Sequence, residues 1–144
     1  MNKKTIAING FGRIGRAVYK CLEELPEGKN FKVVAINDLA KEPTLKHLLR
    51  YDSVYGKYDK EISSEVKFFS EKNPENLPWQ DIDIIVESTG HFTKQEDAER
   101  HVGKLVVISA PAKSVSIDSF VCGVNCGSYN GQKIISGVSC TTTA

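Results

Sequence analysis

A short apolar run, Ile6-Ala7-Ile8, leads directly into Gly10-x-Gly12-x-x-Gly15, and this junction limits the possible folds more than any other stretch of the chain. The run reads as a buried strand, and the glycines read as the turn that opens a helix. Each glycine has a separate task in such a turn. Gly10 permits the tight strand-to-helix reversal, Gly12 lets the backbone approach a pyrophosphate, and Gly15 lets the helix pack close to the sheet. The unpaired N–H groups of the first helical turn, at the positive end of the helix dipole, would face the phosphates. The helix itself follows from periodicity. Ile14, Ala17, Val18, Cys21, Leu22 and Leu25 fall on one stripe, so a helix over 12–25 is expected to bury that stripe, Cys21 included.

A second apolar run, Val33-Val34-Ala35-Ile36, ends in Asn37-Asp38, and Asp38 lies 23 residues after Gly15. That is where a dinucleotide-binding βαβ unit places the acid that receives the ribose hydroxyls. A carboxylate there accepts hydrogen bonds from a free diol and repels a 2′-phosphate, which favours NAD over NADP.

The remaining chain continues the alternation. Strands are expected at 4–9, 31–37, around Val66, Phe68 and Phe69, at 82–86, 105–108, 120–123 and 133–136. A short helix with Pro43 in its first turn should face Leu45, Leu48 and Leu49 inward. Thr93-Lys-Gln-Glu96 reads as a capping box for a helix running to about Val102, and 70–78 reads as a loop. Continuous apolar strands alternating with helices indicate an α/β chain of the Rossmann type, with a doubly wound, mostly parallel sheet in a single domain over 1–144. In such sheets ligands bind beyond the carboxyl ends of the strands. Asn9-Gly10, Asn37-Asp38, Ser88-Thr89-Gly90, Ser109-Ala110 and Cys140 all sit at predicted strand ends, so one rim should collect them.

Composition excludes other classes. A net charge of +1 gives no electrostatic footprint for nucleic acid, and no run of about 18 apolar residues exists to span a membrane. A cytoplasmic location is the expectation. Cys122 and Cys126 have no second Cys/His pair placed to complete a tetrahedral metal site, and no metal is expected.

Six segments carry a family resemblance. They are Ile8-Asn-Gly-Phe-Gly-Arg-Ile-Gly-Arg16, Ile36-Asn-Asp-Leu39, Tyr51-Asp-Ser-Val-Tyr-Gly56, Glu87-Ser-Thr-Gly-His-Phe-Thr93, Ile108-Ser-Ala-Pro-Ala-Lys113 and Ser139-Cys-Thr-Thr142. In this order they resemble the N-terminal, NAD-binding part of the glyceraldehyde-3-phosphate dehydrogenase family. The resemblance implies that Arg13 and Ile14 line the pyrophosphate through their backbone and that Asp38 holds the adenine ribose. It implies that Lys72 flanks the adenine where the family usually has arginine, and that Ser109 lies near the nicotinamide half. It implies Cys140 as the nucleophile that attacks a phosphorylated aldehyde, with Ser139 and Thr141 beside the substrate.

Thr143 stands where the family usually has Asn, and Gly137-Val138 where it has Asn-Ala. The family's histidine partner for the cysteine matches none of His47, His91 or His101, so the chain by itself is expected to lack catalysis. A complementary catalytic fragment or a homo-oligomer would then be its partner. Two other readings stay open: the related erythrose-4-phosphate dehydrogenase, and a free-standing NAD-binding or protein-interaction module.

Overall fold

The pleat of the first strand divides the core in two. The computed structural model describes residues 2–137. In β1 (Lys4–Asn9), Ile6 and Ile8 face one hydrophobic cluster with Phe11 and Tyr19, whereas Ala7 faces a second with Trp79 and Ile85. All seven side chains are at most 3 % exposed, so this strand is covered on both faces, as a central parallel strand must be. β2 (Phe31–Asn37) pairs with β1 in parallel, but the register slips between Ile6 and Ala7, passing over Val34. The extra residue is a bulge that lets Val33 and Ile36 both reach the Ile6 side while Ala35 reaches the other.

α1 (Arg13–Glu24) crosses between these strands, and α2 (Glu42–Arg50) follows β2. A two-stranded hairpin comes next, β3 (Tyr51–Asp52) with β4 (Gly56–Lys57), and then β5 (Lys67–Phe69). β6 (Ile84–Glu87), α3 (Gln95–Ala98), β7 (Leu105–Ile108), β8 (Asp118–Ser119) and β9 (Ile134–Ser136) complete the described residues. The main sheet is parallel throughout, in the order β5-β2-β1-β6-β7-β9-β8. Leaving out the edge strand β8, the strands follow the 3-2-1-4-5-6 sequence of the doubly wound fold, and the order reverses between β1 and β6.

Four expectations are corrected. Helix α1 does not bury the Ile14–Leu25 stripe: Ile14 is 52 % and Leu25 51 % exposed, and Cys21 is exposed too. Its buried face is Gly15, Arg16 and Tyr19, with Val18 and Leu22 partly covered. The close approach at Gly15 turns that side of the helix to the sheet. Leu48 is 39 % exposed, because a nine-residue helix reaches the core through Leu45 and Leu49 alone.

The capping box does not form. α3 is one turn long with Lys94 as its N-cap residue, and Ser114 Oγ, not Thr93, accepts the Gln95 N–H at 2.9 Å. Thr93 is buried, and its carbonyl accepts from Lys113 N–H. No strand forms over the expected 120–123: the two-residue β8 ends just before it, and a turn follows. There the Asn125 side chain takes Val121 N–H and donates to the Ser119 carbonyl, replacing ladder bonds. Cys122 and Cys126 lie exposed in that turn region.

Candidate functional site

The glycine turn is held from three sides. Gly10 has φ +88° and donates its N–H to the Asn37 carbonyl at the end of β2, at 2.8 Å. Phe11 N–H donates to Asp38 Oδ2 (2.8 Å), and Phe11 O accepts from Arg16 Nη1 (3.0 Å). The Phe11 ring is fully buried edge-on against Tyr19, with ring centres 6.0 Å apart. Burying a side chain of that size is worth about 1.5–3 kcal/mol, which pins the segment between the glycines to the core. A Cβ on Gly15 would lie 2.1 Å from the Gly10 carbonyl oxygen, so helix and turn touch backbone to backbone.

Gly12 differs from both. A Cβ there would meet nothing within 4 Å, so the chain's own packing does not require glycine. Gly12 is also the N-cap of α1, which has neither a side-chain cap nor an acidic residue in its first turn. A helix N-terminus left with free N–H groups and an unobstructed approach suits a ligand phosphate. These features fit the pyrophosphate of a dinucleotide.

A cleft of about 530 Å³ lies beside this turn, and Gly10, Gly12, Asp38 and Lys72 line it. The volume is within the about 300–1,000 Å³ usual for small-molecule and cofactor sites. Asp38 does two things here: its Oδ2 holds Phe11 N–H, and its Oδ1 accepts from Ala40 N–H at 2.9 Å. Each carboxylate oxygen keeps a second lone pair for a ligand hydroxyl.

Arg13 and Ile14 contribute no side chain to the lining. The Arg13 guanidinium turns to Asp52 in the hairpin, 3.4 Å away. The Asp52 carboxyl is pushed down to about 2, first by the N–H groups of Tyr55 and Val54 and then by Arg13. Ser109 also lies off the cleft wall. Its N–H and Oγ both bond the Glu87 carbonyl, at 2.9 and 3.1 Å, so its observed work is to tie β6 to the end of β7. Ser139, Cys140 and Thr141 lie outside the described residues.

Opposite, Thr89, already expected at this rim from its strand-end position, lines the cleft together with His91, Phe92 and Arg100, which sequence reasoning missed. Arg100 makes a paired contact to the Glu75 carboxylate (2.9 and 3.0 Å), reaches Asn73 Oδ1 (3.2 Å) and stacks 5.5 Å from the Phe92 ring centre. It thereby joins the lining segments that follow β5 and β6. The Glu75 carboxyl is held below the ordinary range by this hydrogen bond. A Phe following Gly90-His91 was the available signal for this wall.

Beneath the cleft, the ends of β1, β2 and β6 share one polar network. Glu87 Oε2 accepts from Asn9 Nδ2 and meets His101 Nε2, both at 2.7 Å, and Oε1 accepts from Thr89 N–H and Oγ–H. Asn37 Nδ2 donates to Asn9 Oδ1 (2.7 Å) and to the Glu71 carbonyl (2.8 Å).

A sheet that reverses its strand order beside a glycine turn, a bare helix N-terminus and a cleft-lining acid just past the second strand defines a dinucleotide-binding Rossmann domain. Residues 4–95 match the family model described as glyceraldehyde 3-phosphate dehydrogenase, NAD binding domain. That match spans well over half of the chain, and the chain belongs to this family. Similar proteins include the glyceraldehyde-3-phosphate dehydrogenases of Mycoplasma pneumoniae and Geobacillus stearothermophilus, each 47 % identical over 95 % of this chain. The Clostridium acetobutylicum enzyme is likewise 47 % identical over 95 % of it. The chain spans 44–45 % of the length of these relatives. Among the described residues no helix is long and apolar enough to cross a membrane.

Proposed function

We propose that residues 1–144 form the cofactor-binding domain of a phosphorylating glyceraldehyde-3-phosphate dehydrogenase, working in the cytoplasm. The observation that carries this reading is the meeting of Gly10, Gly12 and Asp38 at one cleft beyond the carboxyl ends of β1 and β2. NAD supplies a hydride acceptor when bound. In this reading the amides that open α1 hold its pyrophosphate, and Asp38 accepts from the adenine ribose while bracing the turn through Phe11. Lys72, on the exposed rim, flanks the adenine. Cys140 is the nucleophile toward a phosphorylated aldehyde, with Ser139 and Thr141 beside it, a role that rests on the family motif.

A partner surface goes with this assignment. Ile14, Cys21 and Leu25 lie exposed along α1, an apolar strip suited to a complementary catalytic segment or a second subunit. Calorimetric titration of the chain with NAD and NADP tests the cofactor assignment. NAD should bind the more tightly, and equal affinities would remove Asp38 from its ribose role.

A further inference from the structure

The Glu87–His101 pair is the most deeply buried ionisable contact among the described residues, with both side chains at 0 % exposure. No step assigned above uses it. Three donors already converge on the Glu87 carboxylate: Asn9 Nδ2, Thr89 N–H and Thr89 Oγ–H. The imidazole Nε2–H is the fourth, at 2.7 Å, while the ring's Nδ1 has no hydrogen-bond partner among the described residues. Only a carboxylate offers acceptors alone on both oxygens. An amide would turn its NH₂ toward either the Thr89 donors or those of Asn9 and His101.

Each partner of this carboxylate leads to the cleft. Asn9 and Thr89 line it, Asn9 Oδ1 anchors Asn37, which also lines it, and His101 packs edge-on against lining Phe92 at 5.7 Å. Asn37 in turn fixes the backbone of Glu71 on the same lining, accepting Glu71 N–H at 2.8 Å. Thus residues ending β1 and β2 and following β5 and β6 are set by one buried acceptor, and His101 holds that acceptor from below.

We propose that His101 and Glu87 are positioning residues for NAD: through Asn9 and Thr89 they fix the floor of the dinucleotide cleft in its binding geometry. This rests on the cleft being the NAD site. Removing the imidazole donor leaves a buried carboxylate under-satisfied and free to turn, and the Asn9 and Thr89 contacts loosen with it.

The test compares wild type, His101→Leu, His101→Gln and Leu77→Ala, the last a truncation in the second core cluster at a residue outside the cleft lining. The readouts are NAD affinity by calorimetry and the Thr89 amide resonance of the free chain. His101→Leu should weaken NAD binding by about tenfold or more and shift the Thr89 amide. His101→Gln, which restores an N–H donor, should recover most of both. Leu77→Ala should lower stability yet change neither readout by more than about twofold, since its side chain makes none of the network's hydrogen bonds. Wild-type affinity in His101→Leu would overturn the proposal, as would no recovery with His101→Gln or an equal loss in Leu77→Ala. If His101→Leu does not fold, Glu87→Gln carries the same expectation and the same refutation. If the wild-type chain binds no NAD, the functional reading fails. The Thr89 resonance then still decides whether His101 positions the floor, because an unmoved signal contradicts it.

Discussion

Gly12 and Gly15 are three residues apart in one turn, and substituting them should produce opposite failures. In Gly15→Ala the new methyl begins 2.1 Å from the Gly10 carbonyl oxygen and must reach at least 3.0 Å, a retreat of 0.9 Å between two backbone segments. Overpacking of this kind costs about 1–3 kcal/mol. The Gly10 carbonyl also accepts the Ser88 hydroxyl at 2.6 Å, and stretching that bond adds about 0.5–1.5 kcal/mol. The better helix propensity of alanine returns about 1 kcal/mol. The balance is about 1–3 kcal/mol of destabilisation, or roughly 2–10 °C in Tm for a domain of this size. NAD affinity falls with it, because the displaced Gly10 peptide lines the cleft. Gly12→Val meets no atom of the chain within 4 Å at its Cβ, so its Tm should stay within about 3 °C of wild type. Its NAD binding should nevertheless disappear, since the side chain occupies the approach to the helix amides. Thermal unfolding and calorimetric titration on both variants form the assay. A folded Gly12→Val chain that binds NAD normally, or a Gly15→Ala chain indistinguishable from wild type, would refute the division of labour between the two glycines.

Asp38→Ala should cost NAD about 1.5–3 kcal/mol of binding, the worth of a charged hydrogen bond, and should bring NAD and NADP affinities together. Unchanged discrimination in a binding comparison would contradict it. The same variant frees the Phe11 and Ala40 amides, so a modest loss of thermal stability should accompany the change. Acid sensitivity should trace partly to Asp83, whose carboxyl is held well below the ordinary range by Thr5 N–H first and by Lys104 next. A lowered folded-state pKa gives stability that is present above the unfolded value of about 3.9 and lost as pH falls below it. Asp83→Asn should therefore narrow the drop in Tm between about pH 7 and pH 3, and an undiminished drop would count against that contact. Asp52, at about 2, adds to the same loss between its ordinary 3.8 and that value. Phe11→Ala should destabilise by about 3–5 kcal/mol, because it empties the core position that anchors the turn, and denaturant unfolding reads this directly.

Strong local chemistry made the fold's centre legible. The run before Gly10, the glycine spacing and the run ending at Asp38 specify β1, α1 and β2 to within a residue or two. What failed was orientation. Periodicity placed Ile14, Cys21 and Leu25 on the buried stripe, yet the contact at Gly15 sets which side meets the sheet, and hydrophobicity does not encode a backbone approach. The capping box at Thr93 failed for a similar reason. Ser114, distant in sequence, supplies the cap, and a local motif cannot announce a tertiary competitor.

The candidate site divided along the same line. Gly10, Gly12, Asp38 and Lys72 were readable because each belongs to a motif or a recognisable family segment, and all four line one cleft. Thr89 was expected at the rim from its strand-end position, whereas His91, Phe92 and Arg100 were missed as lining. They gather only through the crossover from β6, and the one-turn helix brings Arg100 back to Phe92. His101 carried no motif at all, and its contact with Glu87 across 14 residues exists only in the folded chain.

The central claim is that this chain binds NAD in the cleft at the carboxyl ends of β1 and β2, and a crystal structure of the complex tests it most directly. The pyrophosphate should lie against the first-turn amides of α1 beside Gly12, with the adenine ribose within hydrogen-bonding distance of Asp38 and the adenine near Lys72. NAD bound elsewhere, or in this cleft with its ribose turned away from Asp38, would contradict the account.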